Sequence, residues 1–421
     1  ERYSMKISKK GLALGAAVLT AALLGGSVPA MAASTTITIW MDDERGKTLA
    51  PLYDGSTTIA PGYTISVKTF SSRDSMVAAW DKASAAGGPD MMFDAVSTVT
   101  AAAKNGKALP IVLTATNKAE LPSAALKSAS YQGVQYGIPV DVDTTTMIWN
   151  TKFGPAPKTF KQLAAIFQKA KAANQVTTGV CAGDGTWGAL PVLTALGGGA
   201  WGYKADGVTP DPTKVLFNSA AFVKNANDLL IDPKTKRGNG LFAWDAWDGC
   251  GQSFLKGKAL AINTGSWRID AINKARIQYS LQPVPTIDGK GTSHQWSGFG
   301  AVFGTSYATT HGVDLGVKAA LSYFASQKGA LSYAKATARP PVNNKLSSEL
   351  SPVVAGFANA AKTGLVQENA LLGSSAGGSN WYDVLGSTFT AAFTKGQGVK
   401  ASFDKGAVIL KKNFVDGMSK R

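Results

Sequence analysis

Between residues 36 and 67 the chain alternates apolar and polar positions twice. Thr36-Ile37-Thr38-Ile39-Trp40 and Tyr63-Thr64-Ile65-Ser66-Val67 place apolar side chains at every second position, which predicts strands with one buried face. The stretch from about Lys47 between them reads as a helix. Met91-Met92-Phe93, after the turn Gly87-Gly88-Pro89-Asp90, predicts a third strand. Strands separated by helices imply βαβ units and a mainly parallel sheet.

Further along, the period changes from two to about 3.6. Thr159-Phe160-Lys161-Gln162 has the form of a capping box, and Leu163, Ile166, Phe167 and Ala170 then share one helical face. Pro155-Ala156-Pro157 is the loop before it. Val317, Leu321 and Phe324 mark another helix, ending before Arg339-Pro340-Pro341. Gly373–Ser379 reads as a loop, with a last helical region beyond Asp383.

The 421 residues allow two domains at the usual ~150 residues each. The 45% hydrophobic and 17% charged residues exclude a disordered chain. Lys6, Lys9 and Lys10, an apolar run from Gly11 to Val28, and Pro29-Ala30-Met31-Ala32-Ala33 predict an export signal over residues 1–32, with Met5 as its initiator and cleavage after Ala32. The competing reading is a single membrane anchor. No cysteine near the cleavage site offers a lipid acceptor. The two cysteines, Cys181 and Cys250, are compatible either with one disulfide in an oxidising compartment or with two buried thiols.

The net charge of +16 falls to +13 without residues 1–32, which hold Arg2 and three lysines against Glu1. The lysines are scattered and no basic-aromatic groove motif accompanies them, so the charge reads as a solvated surface and not as a nucleic-acid site. Catalytic signatures are absent. His294 and His311 lack metal-ligand spacing, and there is no zinc-type cysteine pair, phosphate-binding loop or Gly-x-Ser-x-Gly elbow. Glycoside hydrolysis needs only two carboxylates, for which Asp141 and Asp143 are the closest candidates, though a two-residue separation is no signature by itself. The ten tryptophans, many beside Gly or Asp, suit sugar recognition, in which a flat indole covers a ring's C–H face and polar groups bond its hydroxyls.

Particular motifs sharpen this. Ile39–Gly46, Gly88–Phe93, Tyr136–Asp143 and Thr264–Trp267 carry a resemblance to the extracellular sugar-binding proteins of ABC importers, the family that includes maltose-binding members, and it runs through almost all of the chain beyond the signal. Ile39-Trp40-Met41-Asp42-Asp43-Glu44-Arg45-Gly46 is similar to the family's opening strand and loop. There Glu44 and Arg45 fall on an acidic-basic pair that contacts sugar hydroxyls, and Asp42 falls on a neighbouring contact. Gly88-Pro89-Asp90-Met91-Met92-Phe93 resembles a strand entering the cleft. It is followed by Asp94 where maltose-binding members have a stacking tryptophan, and by Ser97 and Thr98 in place of another charged pair. Asp94 then either bonds a hydroxyl or caps the next helix.

Tyr136-Gly137-Ile138-Pro139-Val140-Asp141-Val142-Asp143 and Met147-Ile148-Trp149-Asn150 resemble the series at the first crossing between lobes. They offer Asp141 and Asp143 to the ligand and Trp149 to the core. The resemblance makes Trp187, Trp267 (in Thr264-Gly265-Ser266-Trp267) and Trp381 stackers, with Tyr382 beside the last. Pro283-Val284-Pro285 and Gly298-Phe299-Gly300 match the return crossing.

The fold implied is α/β, two-lobed and like the periplasmic binding proteins, with the ligand cleft at the hinge. Residues 33–142 and 296–346 would form the N-terminal lobe, and 143–295 and 347–421 the C-terminal lobe. The implied function is extracytoplasmic capture of a carbohydrate, an oligosaccharide of maltose or maltodextrin type among the candidates. Lobe closure would present it to ABC importer permease subunits. The expected protein is a monomer without cofactor, metal or catalytic residues, in the periplasm or at the cell surface and peripheral to the membrane. The alternatives are a secreted carbohydrate-active enzyme, or the same fold holding a polyol, peptide or anion.

Overall fold

The computed structural model describes residues 35–205, 210–366 and 379–418. The expected export signal lies outside them, as does most of the predicted Gly373–Ser379 loop. Ten strands of the described residues form one mixed sheet: β1 (Thr36–Met41), β2 (Thr64–Thr69), β3 (Met91–Ala95), β4 (Gly137–Asn150), β5 (Thr178–Ala182), β6 (Phe242–Ala243), β7 (Ala259–Gly265), β8 (Tyr279–Gln282), β9 (Trp296–Gly304) and β10 (Leu365–Val366).

β1 buries Ile37, Ile39 and Met41 and pairs parallel with β2 and β3, as its alternation predicts. Parallel pairing recurs where β5 meets β6 and β7. The sheet is nevertheless mixed, with nearly as many antiparallel as parallel pairings among the described residues. The first part of β4 runs antiparallel to β9, and its later residues run antiparallel to both β7 and β8. β9 is also antiparallel to β3. The reason lies in β4, whose 14 residues serve two groups of strands in succession. Ile138 and Val140 enter a core with Ile39, Phe93, Val302 and Phe324. Met147 and Trp149 enter another core with Phe160, Phe167, Trp296 and Phe403. Trp149 is fully buried and donates its Nε1–H to the Gly154 carbonyl at 2.9 Å, so it packs where the sequence placed it.

Among the helices, α1 (Asp43–Tyr53) starts at the Asp42 cap, earlier than the apolar pattern suggested. α2 (Phe160–Ala172) carries the complete Thr159/Gln162 capping box. The predicted helix around Leu321 divides into α3 (Asp314–Ala325) and α4 (Gln327–Thr337), because Ser326 is extended and accepts the Gly329 N–H as a new N-cap. The final region contains α5 (Trp381–Phe389) and α6 (Val399–Met418). Cys181 of β5 and Cys250 are joined, with Cα atoms 5.5 Å apart. No helix of the described residues is long and apolar enough to cross a membrane.

Candidate functional site

The loop from β1 into α1 builds one wall of a cleft. Asp42 accepts the Arg45 N–H at 2.8 Å as N-cap, and its other oxygen meets Arg45 Nη1 at 2.7 Å. Arg45 is thereby folded inward. Its Nε donates to the Tyr333 hydroxyl at 3.0 Å, and its Nη2 lies 3.5 Å from Asp141 and 3.9 Å from Asp143. Strand alternation puts Asp141 and Asp143 of β4 on one face, towards this guanidinium. Tyr333 also donates to Asp141, whose second oxygen accepts the Gly300 N–H at 3.0 Å. A side chain at Gly300 has no room, since its Cβ would stand 2.2 Å from the Asp141 carboxylate.

Two further arginines extend the network outward. Arg339 bonds Asp143 through Nη1 and Glu44 through Nη2 at 3.2 Å. Arg268 reaches the other oxygen of Glu44 at 3.3 Å. Each guanidinium also lies over an indole, Arg339 at 4.9 Å from the Trp267 ring centre and Arg268 at 4.4 Å from that of Trp247. Trp267 donates its Nε1–H to Asp184 at 3.1 Å, and Thr264 donates to the same carboxylate at 2.7 Å. The Trp187 ring is 5.8 Å from that of Trp267, inclined by 48°.

These environments separate the carboxylates. Burial would raise Asp42, yet the charges of Arg45 and Arg339 overcome it and hold the group below its ordinary range. Burial pushes Glu44 up to about 7 against the pull of Arg339 and Arg268. Burial and the neighbouring Asp141 charge push Asp143 up to about 6. Asp184 is raised by burial as well.

The cleft has a volume of about 1480 Å³. Of the residues expected from sequence, Asp42, Glu44, Arg45, Asp94, Asp143, Trp187, Trp267 and Tyr382 line it. Asp141 and Trp381 do not. Asp141 is fully enclosed by Arg45, Tyr333 and Gly300, so it braces the wall. Trp381 is fully buried against Phe217, Trp296 and Phe414. It shares the buried face of α5 with Val384, Leu385 and Thr388, a helical spacing that points it to the core, while the next residue, Tyr382, faces the cleft. Asp94 does not cap the following helix, whose N-cap is Ala95. It is held instead by Arg73 Nε at 2.5 Å, and Arg73 in turn reaches Thr98 at 3.0 Å.

Sequence reasoning missed Asp184, Trp247, Arg268, Arg339 and Tyr333. Arg268 adjoins Trp267 and Arg339 opens the Arg-Pro-Pro run, so both stood beside motifs without a pattern of their own. Among the described residues no cluster of three or more His, Cys, Asp or Glu could hold a metal ion. The arrangement can stack a planar apolar face on indoles and bond hydroxyls through carboxylates and guanidiniums.

A family model for bacterial extracellular solute-binding proteins matches residues 57–361. The chain is 25% identical over 217 residues to a maltotriose-binding protein of Pyrococcus abyssi, covering 48% of this chain and 44% of the relative. It is 26% identical over 206 residues to a maltodextrin-binding protein of Bacillus subtilis, covering 47% and 48%. A galactooligosaccharide-binding protein of the same bacterium is 27% identical over 177 residues, covering 40% and 41%. The matched region thus spans less than half the length of each of these relatives.

Proposed function

Since the chain belongs to the family of bacterial extracellular solute-binding proteins, we propose that it captures an oligosaccharide in this cleft and delivers it to the permease subunits of an ABC importer. The observation that carries the reading is the cleft itself. Its volume of about 1480 Å³ exceeds the ~300–1,000 Å³ of ordinary small-molecule pockets. Its walls set Trp187, Trp267 and Tyr382 beside Glu44, Asp143 and Arg339. The names of the maltotriose-, maltodextrin- and galactooligosaccharide-binding relatives support the same ligand class.

In this reading, residues 33–142 with 296–346 and residues 143–295 with 347–421 form two lobes that close on the sugar about β4 and β9. Closure follows only if the ligand gains more contact in the closed arrangement than in the open one. Glu44, near the N-terminus of α1, and Trp267, just after β7, offer such contacts from the two groups of strands. The protein acts as an exported monomer, in the periplasm or at the cell surface, and performs no covalent chemistry.

Titration with maltotriose, a maltodextrin and a galactooligosaccharide, followed by tryptophan fluorescence, tests the reading. Trp267→Ala should weaken the bound sugar by about 2 kcal/mol, roughly thirtyfold, the scale of a central aromatic contact. Equal binding by variant and parent would refute the site. Release of new reducing ends from any of these sugars would favour a carbohydrate-active enzyme instead.

A further inference from the structure

One aromatic of the cleft belongs to no motif noted in the sequence. Trp247 lies in the segment Trp244–Gly251, which is tied down from several directions. Cys250 is bonded to Cys181 of β5, and its backbone N–H donates to Asp245 at 3.1 Å. Trp244 packs on Phe389 and Phe393 at ring distances of 5.2 and 5.7 Å. Between these anchors Ala246 has φ 62° and ψ −164°. That backbone region is nearly exclusive to glycine, and an alanine persists there only where its surroundings impose it. Trp247 there packs on the core around Cys181, Cys250 and Phe254 and, half-buried, also lines the cleft wall.

Arg268 completes the arrangement. Its guanidinium covers the Trp247 ring at 4.4 Å and its Nη1 meets Glu44 at 3.3 Å. Its Nε is buried and meets no acceptor among the described residues. A buried donor without a partner costs free energy until an acceptor arrives. Glu44 therefore stands between two indole–guanidinium pairs, one through each carboxylate oxygen: Trp267 with Arg339, and Trp247 with Arg268.

We propose that Trp247 and Arg268 form a second sugar subsite, with the cleft-facing edge of the indole meeting the C–H groups of a ring and the guanidinium stacked on it donating to a hydroxyl. The disulfide and the Ala246 turn set the position of this subsite. The inference rests on the oligosaccharide reading above and adds a second platform to it. An aromatic wall on a disulfide-anchored turn is preorganised, so less ordering is required when the ligand arrives.

Calorimetry with maltotriose, a maltodextrin and a galactooligosaccharide on the full chain tests it. For whichever sugar the parent binds, Trp247→Ala should weaken affinity about tenfold or more, and Trp247→Phe should recover most of that loss. Should the alanine variant fail to fold, Trp247→Leu, which keeps apolar bulk under Arg268 but lacks the flat ring, carries the same expectation. The double variant Cys181→Ala/Cys250→Ala should weaken affinity by roughly three- to tenfold while keeping the near-ultraviolet circular dichroism of a folded protein. Parent-like affinity in Trp247→Ala, beside a loss in Trp267→Ala, would overturn this subsite alone. A parent that binds none of the sugars would overturn the oligosaccharide reading and this subsite together.

Discussion

The placement of Asp141 behind the cleft wall makes Asp141→Asn a discriminating substitution. The two side chains have nearly the same shape, so only charge and hydrogen bonding change. The asparagine oxygen can still accept the Gly300 N–H now held at 3.0 Å. Its amide nitrogen then replaces the oxygen that faces both Tyr333 and Arg45. The Tyr333 hydroxyl already accepts from Arg45 Nε at 3.0 Å, so it can turn to accept again only by stranding its own proton.

Breaking a buried ion pair by removing one partner ordinarily costs ~3–5 kcal/mol. Here Arg45 keeps Asp42 at 2.7 Å, and loss of the Asp141 charge relieves its repulsion of Asp143. These two terms reduce the expected loss to about 2–3 kcal/mol. Urea denaturation followed by tryptophan fluorescence should show this loss, while the folded variant binds sugar within about threefold of the parent, or 0.7 kcal/mol. Unchanged stability together with abolished binding would refute the argument and make Asp141 a direct ligand contact.

The elevated Glu44 carboxyl gives stability a definite slope with pH. The folded state holds this proton more tightly than the unfolded chain, so the stabilisation is full below the ordinary value of 4.5 and is lost as pH rises to about 7. Asp143 acts in the same direction from 3.8 up to about 6. Denaturation at pH 5 and 7.5 should therefore show a decline that is smaller in Glu44→Gln than in the parent; equal declines would remove Glu44 as its source. The neighbours Trp381 and Tyr382 should behave oppositely. Trp381→Ala should cost about 3–5 kcal/mol of stability, as expected for a large core aromatic. Tyr382→Ala should leave stability within about 1 kcal/mol and weaken sugar binding. Reversal of that pattern in melting and titration would contradict the orientation of α5.

The local grammar of the chain was readable from sequence. The alternation around Ile37 and Ile39 marked β1, and Thr159 with Gln162 marked the start of α2, because each depends on neighbours within a few residues. The motif around Trp267 likewise led to the cleft. The heptad-like spacing of Trp381, Val384, Leu385 and Thr388 was present too, and weighed by periodicity it would have turned Trp381 into the core. The second layer of the site left no comparable trace. Arg339 meets Glu44 across 295 positions, and Tyr333 meets Arg45 across 288. Such pairings arise from the return of the chain through β9 and α4 and have no local period. The antiparallel course of β4 was hidden for a related reason: a strand pattern reveals which faces are buried and says nothing of the direction of its partners.

The most direct test of the account is isothermal titration calorimetry of the protein with maltotriose, a maltodextrin and a galactooligosaccharide. Saturable one-to-one binding of at least one of them is expected, with a negative heat-capacity change from burial of apolar surface against the indoles. Absence of binding heat for all three at several temperatures, with no competing effect on tryptophan fluorescence, would contradict the claim that this cleft captures an oligosaccharide.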